Sequence, residues 1–236
     1  MRLADPQVVR AEYASEERCE RRSLHAWAIY EGPDPREHAL LALHEVRARR
    51  ILDAGCGTGE FAERAARLLG ADVTGVDQSQ RMVELTRARG IEAQAADVQA
   101  LPFGDGEFDA VAANWLLYHL PDLEAGLSEL RRVLRPGGRL VAITNAERHL
   151  EEIWGRGDGA AFTAENGAAA LSRHFERVAR RAVRGAAVFA TREALRGYGS
   201  AFSVLHGRDE TARLDALPVP LRVTCLNAVF VAERGP

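Results

Sequence analysis

The sequence predicts an α/β protein built on a doubly wound, seven-stranded, mostly parallel sheet. Between residues 50 and 145, short apolar runs alternate with stretches of helical periodicity, which is the pattern of βαβ units. Two further strand-like runs near the C-terminus follow a long connection, and this is typical of a sheet that ends in an antiparallel closing strand. Short buried strands joined by helices imply that helices cover both faces.

The predicted elements follow one another in chain order. We expect strands at residues 50–54, 72–76, 91–95, 108–112, 139–144, 177–183 and 221–232. The helices that connect the first five strands are expected at residues 59–69, 79–89 and 121–134, the last one ending at the sequence Arg-Pro-Gly-Gly. Other helical patterns occur at residues 4–14, 15–30, 35–46, 149–155, 164–175 and 191–203.

Composition narrows the class of protein. The 236 residues carry 31 basic and 34 acidic side chains, a net charge of −3, and 47% are hydrophobic, which is typical of one ordinary globular domain. Every basic residue is an arginine, which excludes Schiff-base and P-loop lysines. The three cysteines lie far apart, so neither a disulfide nor a metal site is expected. Because no apolar stretch resembles a signal or a membrane span, we expect a cytoplasmic protein.

A glycine-rich turn is the most informative motif. The sequence Ile-Leu-Asp-Ala-Gly-Cys-Gly-Thr-Gly at residues 51–59 follows a predicted strand and opens a helix, where open α/β sheets bind ligands. The spacing is G-x-G-x-G, and Glu60 stands where a dinucleotide site requires a third glycine. An acidic side chain there opposes a pyrophosphate and is compatible with a cationic ligand. A tight strand-to-helix connection without a ligand is the alternative interpretation.

Carboxylates follow the next two strands. Asp77 ends the second strand, where a carboxylate is placed to accept both ribose hydroxyls of a nucleoside, and Ser79 is the better candidate for capping the next helix. Asp97 and Val98 follow the third strand, where an acid and an apolar neighbour suit an adenine amino group and the face of its ring. The fourth strand leads into a polar and aromatic segment, residues 114–122, which we expect at the reacting end of the pocket.

The run from residue 51 to residue 145 resembles the core of class I S-adenosylmethionine-dependent methyltransferases of the small-molecule type. The resemblance rests on the glycine loop, the Phe-Asp pair at 108–109 and the Leu-Arg-Arg-Val-Leu-Arg-Pro-Gly-Gly stretch at 130–138. It implies a Rossmann-like fold, S-adenosylmethionine as cofactor and S-adenosylhomocysteine as product. It also implies one methyltransferase domain over residues 1–236, with a helical lid at 1–48, the cofactor-binding core at 49–145 and the substrate-side, sheet-closing region at 146–236.

The resemblance also implies which residues hold the cofactor. Gly55 and Gly57 would line its methionine part, Asp53 would orient the loop, and Asp77 would bind the ribose. The backbone carbonyl of Asn114 would meet the methionine ammonium. The remaining members of the expected cofactor site, placed around adenine, are Gln78, Met82, Asp97 and Val98. Simple core packing accounts for Met82 equally well.

Fewer sequence signals indicate which residues bind the methyl acceptor. His119 is the candidate general base because its ordinary pKa lies near neutrality, and packing under the Pro121 turn is the alternative. We expect Trp115 and Tyr118 to shape the acceptor site, although one helical turn cannot point them all inward. The other residues expected to contact acceptor or cofactor lie in the lid, Tyr13 and Tyr30. Trp27 is in the lid as well, and core packing is the competing interpretation for it. Three more histidines are candidates for the roof of the site, His25, His149 and His206.

The sequence therefore favours methyl transfer to an oxygen or nitrogen atom of a small metabolite, such as a secondary metabolite, by a monomer or homodimer. Three alternatives stay open. One is methylation of RNA, DNA or protein, which is disfavoured because the sequence contains no basic patch. Another is S-adenosylmethionine binding without methyl transfer. The last is a nicotinamide dehydrogenase, which Glu60 disfavours.

Overall fold

The structure is a computed structural model that describes residues 4–5, 7–9, 29–157, 159–206 and 211–236, without the side chains of residues 202–206. Its strands are β1 (Tyr30–Glu31), β2 (Arg50–Ala54), β3 (Asp72–Asp77), β4 (Glu92–Ala95), β5 (Phe108–Asn114), β6 (Leu134–Asn145), β7 (Arg177–Phe189) and β8 (Leu221–Glu233). Its helices are α1 (Pro35–Glu45), α2 (Glu60–Leu69), α3 (Gln80–Ala88), α4 (Leu123–Val133), α5 (Glu151–Trp154), α6 (Gly167–Leu171), α7 (Arg192–His206) and α8 (Thr211–Ala216). A 3-10 turn spans Leu117–His119.

All eight strands form one sheet in the order β1-β7-β8-β6-β5-β2-β3-β4. Strands β2 to β6 run parallel to one another, while β8 pairs antiparallel with both β6 and β7. The predicted α/β class, parallel core and antiparallel closure are confirmed. The glycine loop after β2 therefore lies at the carboxyl edge of the parallel strands, where open sheets bind ligands.

Two sequence expectations were wrong. The structure contains an eighth strand, β1, because Tyr30 pairs with Ala187 of β7 instead of ending a helix. The expected break after α4 is also absent: β6 begins at Leu134, directly after Val133, and runs through the Pro-Gly-Gly sequence. Its pairing with β5 changes register between Phe108 and Ala110, so the sheet absorbs the turn residues as an irregularity. Both errors arise from partner strands that local periodicity does not reveal.

Helices cover the sheet on both faces. One face packs against α1 and α2 through Leu40, Leu43 and Phe61, and we call this the α1–α2 cluster. The opposite face packs against α4 and α6 through residues such as Leu127 and Leu171, forming the α4–α6 cluster. Among the described residues, no helix combines the length and the apolar character that crossing a membrane would require.

Strands β7 and β8 continue past the carboxyl edge of the parallel strands. β6 ends at Asn145, opposite Asn227, while the β7–β8 ladder runs on from the pair Arg184–Leu226 to the pair Phe189–Leu221. At about 3.4 Å per residue this extension rises about 20 Å above the edge. Helices α5, α7 and α8 pack on it through an extension cluster of buried residues, Leu150, Ile153, Ala187, Phe189, Leu195, Tyr198, Leu214, Val223 and Cys225.

Candidate active site

The glycine loop is held in a left-handed backbone conformation that favours glycine. Gly55, Gly57 and Gly59 have φ angles of 70°, 53° and 80°. The N–H groups of Gly55 and Cys56 donate to the Val76 carbonyl at 2.8 and 2.9 Å, which fastens the loop to β3. No described atom lies within 4 Å of the place where a Cβ of Gly57 would stand. The loop thus leaves room for a ligand to approach its backbone closely.

Cys56 has a packing role inside this loop. It is buried, it accepts a hydrogen bond from the Thr86 hydroxyl at 3.4 Å, and its sulfur fills the space beside Gly75. Burial, reinforced by the nearby Asp53 carboxyl, raises the pKa of the thiol well above its usual range. A thiol that stays protonated is a poor nucleophile.

Asp77 lies at the end of β3, with one carboxylate oxygen bonded to the glycine loop and the other to the residue that caps α3. Its Oδ2 accepts a hydrogen bond from Gly57 N at 3.0 Å, and its Oδ1 accepts one from Ser79 N at 2.9 Å. Burial raises its pKa, and these backbone bonds oppose the rise. Ser79 caps α3 through Met82 N, as expected, so Asp77 is not needed as the helix cap. Each oxygen keeps a lone pair for a ribose hydroxyl.

Asp53 and Asn114 contribute buried polar atoms that the described residues leave unpaired. Asp53 is 2% exposed, and burial together with the neighbouring Asp77 carboxyl raises its pKa to about 8. Its Oδ2 and both polar atoms of the Asn114 amide have no hydrogen-bond partner among the described residues. Such atoms cost about 1–3 kcal/mol each unless a ligand or water binds them. This is the arrangement that the ammonium end of S-adenosylmethionine would complete, so the residues fit that cofactor.

The residues expected around adenine differ in accessibility. Gln78 and Asp97 are exposed, and the Asp97 carboxylate accepts hydrogen bonds from Gln99 N and Nε2 at 2.9 and 3.0 Å. Met82 is completely buried. Val98 is 5% exposed and belongs to the α4–α6 cluster. Core packing accounts for Met82 as it stands, whereas Gln78 and Asp97 are open to a ligand.

The segment after β5 sends its aromatic side chains to opposite faces of the sheet. Trp115 packs against the α1–α2 cluster, and Tyr118 packs against the α4–α6 cluster. His119 lies in the 3-10 turn, is 8% exposed and contacts the Tyr118 ring edge-on at 4.5 Å between centroids. The expectation that these side chains do not share one direction is confirmed.

Of the four N-terminal side chains proposed to contact or roof the site, Tyr30 is described, and Tyr13, Trp27 and His25 lie outside the described residues. Tyr30 belongs to β1, and its hydroxyl donates to the Pro33 carbonyl at 2.8 Å. Its ring contacts Gly185 of β7, two residues along the strand from Val183. Burial, followed by nearby Cys225, raises its pKa. Tyr30 therefore lies on the sheet extension.

His149 lies just past the end of β6 and is a neutral imidazole near pH 7. Its Nδ1 lies 3.0 Å from Leu226 N, a donor, and 3.1 Å from the Leu226 carbonyl oxygen, an acceptor, so Nδ1 can pair with the Leu226 backbone in either tautomer. Burial lowers its pKa to about 4. The His206 side chain lies outside the described residues. Among the described residues, no group of three or more His, Cys, Asp or Glu side chains could hold a metal ion.

Sequence reasoning missed Asn145 and Asn227. Trp115 Nε1 donates to the Oδ1 atoms of both residues, at 3.0 and 3.4 Å. A signal was present: Asn227 interrupts the apolar run of β8, at a position where alternation predicts a buried side chain.

Comparison with known proteins agrees with this geometry. Residues 52–142 match the model of the family described as "Methyltransferase domain". Residues 52–142, less than half of the chain, therefore carry a domain of this methyltransferase family. The matched residues of this domain run from β2 into β6 and include the glycine loop and Asp77.

Two curated relatives are similar over this methyltransferase domain. A malonyl-[acyl-carrier protein] O-methyltransferase of Erwinia pyrifoliae is 42% identical over 112 residues, 45% of this chain and 41% of that protein. A demethylmenaquinone methyltransferase of Thermus thermophilus is 45% identical over 109 residues, 42% of this chain and 48% of that protein. The similarity thus spans less than half the length of either relative.

Solved structures share the fold over most of the chain. The YcgJ protein of Bacillus subtilis aligns with a TM-score of 0.58 and 20% identity, covering 85% of this chain and 99% of that one. The [4+2]-cyclase SpnF aligns with a TM-score of 0.57 and 21% identity, covering 88% and 89%. At these identities the likeness supports the α/β fold of the methyltransferase domain and nothing finer.

Proposed function

We propose that this protein transfers the methyl group of S-adenosylmethionine to an oxygen or nitrogen atom of a small molecule. The observation that carries the proposal is the arrangement at the carboxyl edge: an open glycine loop, the Asp77 carboxylate beside it, and the unpaired buried atoms of Asp53 and Asn114. These features form one continuous line across adjacent strands. The names of the two curated relatives, an O-methyltransferase and a demethylmenaquinone methyltransferase, support a small acceptor.

Each of these residues has a separate task in the proposal. Asp77 binds the ribose hydroxyls with its remaining lone pairs, the loop backbone lies along the methionine part, and Asn114 and Asp53 receive the ammonium end. Gln78, Met82, Asp97 and Val98 surround adenine, where Met82 must shift to make contact. When bound, S-adenosylmethionine supplies an activated methyl group on a sulfonium. The protein's main contribution is then orientation of the acceptor, which is worth about 7–11 kcal/mol in well-oriented intramolecular reactions.

A proton must leave an acceptor that is a hydroxyl or an ammonium group. His119 is the proposed base because it lies one turn after Asn114, at the carboxyl edge, with a small part of its surface accessible. A positioned base contributes about 10²–10⁴-fold. Tyr118, in edge contact with His119, and Trp115, next to Asn114, would line the acceptor side. Tyr13 and Tyr30 are proposed lid contacts.

A second candidate function is S-adenosylmethionine binding with a reaction other than methyl transfer. The structural neighbour named as a [4+2]-cyclase favours keeping it, since that chain covers 88% of this one with the same fold. The two functions share the cofactor site and differ only in the fate of the methyl group.

The test incubates the full-length protein with S-adenosylmethionine labelled on its methyl group and with a metabolite extract, and then separates the label by size. We expect label in the small-molecule fraction and in no macromolecule. Asp77→Ala should reduce S-adenosylhomocysteine affinity by about tenfold or more, because the charged acceptor for ribose is lost. The matched control is Asp72→Ala, at the exposed opposite end of the same strand, which should bind normally.

Three outcomes would change the proposal. Equal affinity for S-adenosylhomocysteine in Asp77→Ala and wild type would place the ribose elsewhere. Cofactor binding without any label transfer would favour the second candidate function. Label on RNA or protein would replace the small molecule with a macromolecular acceptor.

A further inference from the structure

A row of amide side chains crosses the sheet next to the cofactor site. Asn114 of β5 lies opposite Ile143, two residues before Asn145 of β6, and Asn145 lies opposite Asn227 of β8. Because side chains two residues apart in a strand point to the same face, the three amides share one face. We call Asn114, Asn145 and Asn227 the amide row. Neighbouring strands are about 4.8 Å apart, so the row leads away from Asn114 toward the extension.

The amide row lies between two apolar clusters of the same face. On one side is the α1–α2 cluster, which includes Ile143 and Val229. On the other side is the extension cluster, which includes Cys225 and Val223 of β8. Val229, Asn227, Cys225 and Val223 alternate along one strand and face the same way. Asn227 thus places a polar group between apolar side chains of β8, at the level where the parallel strands end.

The Trp115 indole orients two of the amides. An indole N–H can only donate, so the atoms it contacts on Asn145 and Asn227, at 3.0 and 3.4 Å, are amide oxygens. Both NH₂ groups must therefore point away from Trp115. Trp115 itself has a φ angle of 52°, an uncommon conformation for a bulky residue, and its N–H bonds to the Ile143 carbonyl at 2.8 Å. Strained residues of this kind cluster at binding sites.

The two NH₂ groups receive no hydrogen bond acceptor from the described residues. The interactions of Asn145 and Asn227 with other described side chains are the bonds to Trp115 alone. Asn227 is 6% exposed and Asn145 is half-buried, and neither NH₂ nitrogen belongs to the fully buried unpaired atoms of the described residues, so a ligand can reach both. A ligand oxygen can accept hydrogen bonds from them.

We propose that the NH₂ groups of Asn145 and Asn227 bind a carbonyl oxygen of the methyl acceptor, and that Trp115 is the positioning residue that aims them. This inference rests on the proposed methyl transfer. Two neutral NH₂ donors suit an uncharged carbonyl oxygen. The acceptor is thus a compound with a carbonyl group near the atom that is methylated.

The test uses nuclear magnetic resonance of the full-length ¹⁵N-labelled protein saturated with S-adenosylhomocysteine. The probes are acetophenone, which carries a carbonyl, and ethylbenzene, which has nearly the same shape without one. We expect acetophenone to shift the side-chain NH₂ signals of Asn145 and Asn227 and the indole signal of Trp115, and ethylbenzene to leave the NH₂ signals in place. The signals are assigned from Asn145→Asp, Asn227→Asp and Trp115→Phe.

Asn227→Asp is the decisive variant because it keeps the oxygen that accepts from Trp115 and replaces the NH₂ donor by a second oxygen. We expect its indole signal and its S-adenosylhomocysteine affinity to stay near those of wild type, and its acetophenone affinity to fall about tenfold or more. Asn145→Asp is the second variant, with the same expectation, in case the first does not fold.

Other results would overturn the inference. It falls if acetophenone leaves the NH₂ signals unchanged, if ethylbenzene shifts them equally, or if both Asp variants bind acetophenone as tightly as wild type. In that last case the bonds to Trp115 serve only to fasten β5 to β6 and β8. Failure of S-adenosylhomocysteine to bind, measured first on the same sample, would instead count against the proposed function.

Discussion

The parallel strands and the β7–β8 extension build their parts of the site in different ways. At the parallel strands, the glycine loop and Asp77 are short segments that directly follow a strand, and the bond from Gly57 to Asp77 joins residues 20 positions apart. Next to the extension, Trp115 bonds to Asn227, 112 positions away. The part of the site proposed for the methyl donor is therefore formed by local sequence motifs. The part proposed for the methyl acceptor depends on the pairing of strands that are distant in the sequence.

The two regions also differ in what holds them together. The loop depends on backbone conformation, since its glycines have positive φ angles and its N–H groups bond to β3. The extension depends on side-chain burial, since α5, α7 and α8 cover it through the extension cluster. A change in one region should therefore leave the other measurable, and this independence can be tested.

The largest expected effect is on the extension. Phe189→Ala removes a completely buried ring from the extension cluster and should lower the free energy of unfolding by about 3–5 kcal/mol. Urea unfolding measures the loss, and calorimetric titration should find S-adenosylhomocysteine affinity within about twofold of wild type. Val188→Ala, the half-buried neighbour on the other side of the strand, is the control and should cost far less. A large loss of cofactor affinity in Phe189→Ala would contradict the independence of the two regions.

The next effect is on the glycine loop. In Gly59→Ala the new Cβ would stand 2.8 Å from Thr86 Cα, in a residue with φ of 80°. The left-handed conformation costs about 1–2 kcal/mol, and overpacking adds about 1–3 kcal/mol. Gly70→Ala is the matched control because it has φ of 60° with no described atom within 4 Å, so it should show only the conformational cost. Equal losses of unfolding free energy would mean that the loop tolerates the clash.

A third comparison sets Gly57, in the ligand-facing loop, against Gly70, which is equally open but lies at the end of α2. Gly57→Ala has the same left-handed strain and the same open surroundings as Gly70→Ala, so both variants should lose about 1–2 kcal/mol of stability. Only Gly57→Ala should bind S-adenosylhomocysteine more weakly, because its Cβ would occupy the space left for the ligand. Titration calorimetry on both variants measures the difference, and unchanged affinity in Gly57→Ala would move the cofactor away from this glycine.

The last comparison concerns how the free energy of unfolding depends on pH. The pKa of Asp53 rises from an ordinary value of 3.8 to about 8 in the folded protein, so between those pH values the folded state holds a proton that the unfolded state has released. The contribution of Asp53 to the free energy of unfolding is therefore fully present below about pH 4. It is lost as the pH rises toward 8, by up to about 1.4 kcal/mol per pH unit. Asp53→Asn should flatten that decline in urea unfolding at pH 5 and pH 8, while exposed Asp72→Asn should not. An unchanged decline in Asp53→Asn would show that Asp53 ionises normally.

The particular elements show how far local signals reach. β2 and the position of Ser79 as the cap of α3 match the sequence expectations, because an apolar run and a side-chain oxygen before a helix act within a few residues. The sequence predicted a helix at Tyr30, because no signal near this residue indicates that it pairs with Ala187 of β7 in the sheet. Trp115 was assigned to the acceptor site, but its hydrogen-bond partners at Asn145 and Asn227 required the pairing of β6 with β8.

The sequence by itself determined the α/β class, the parallel core and the glycine loop with its following carboxylates, since periodicity and glycine spacing act over short distances along the chain. Only the tertiary structure decided that β7 and β8 rise above the carboxyl edge, and that Asn145 and Asn227 meet under Trp115. Strand register between distant segments depends on the burial of a whole face, because a shift by one residue turns every side chain over.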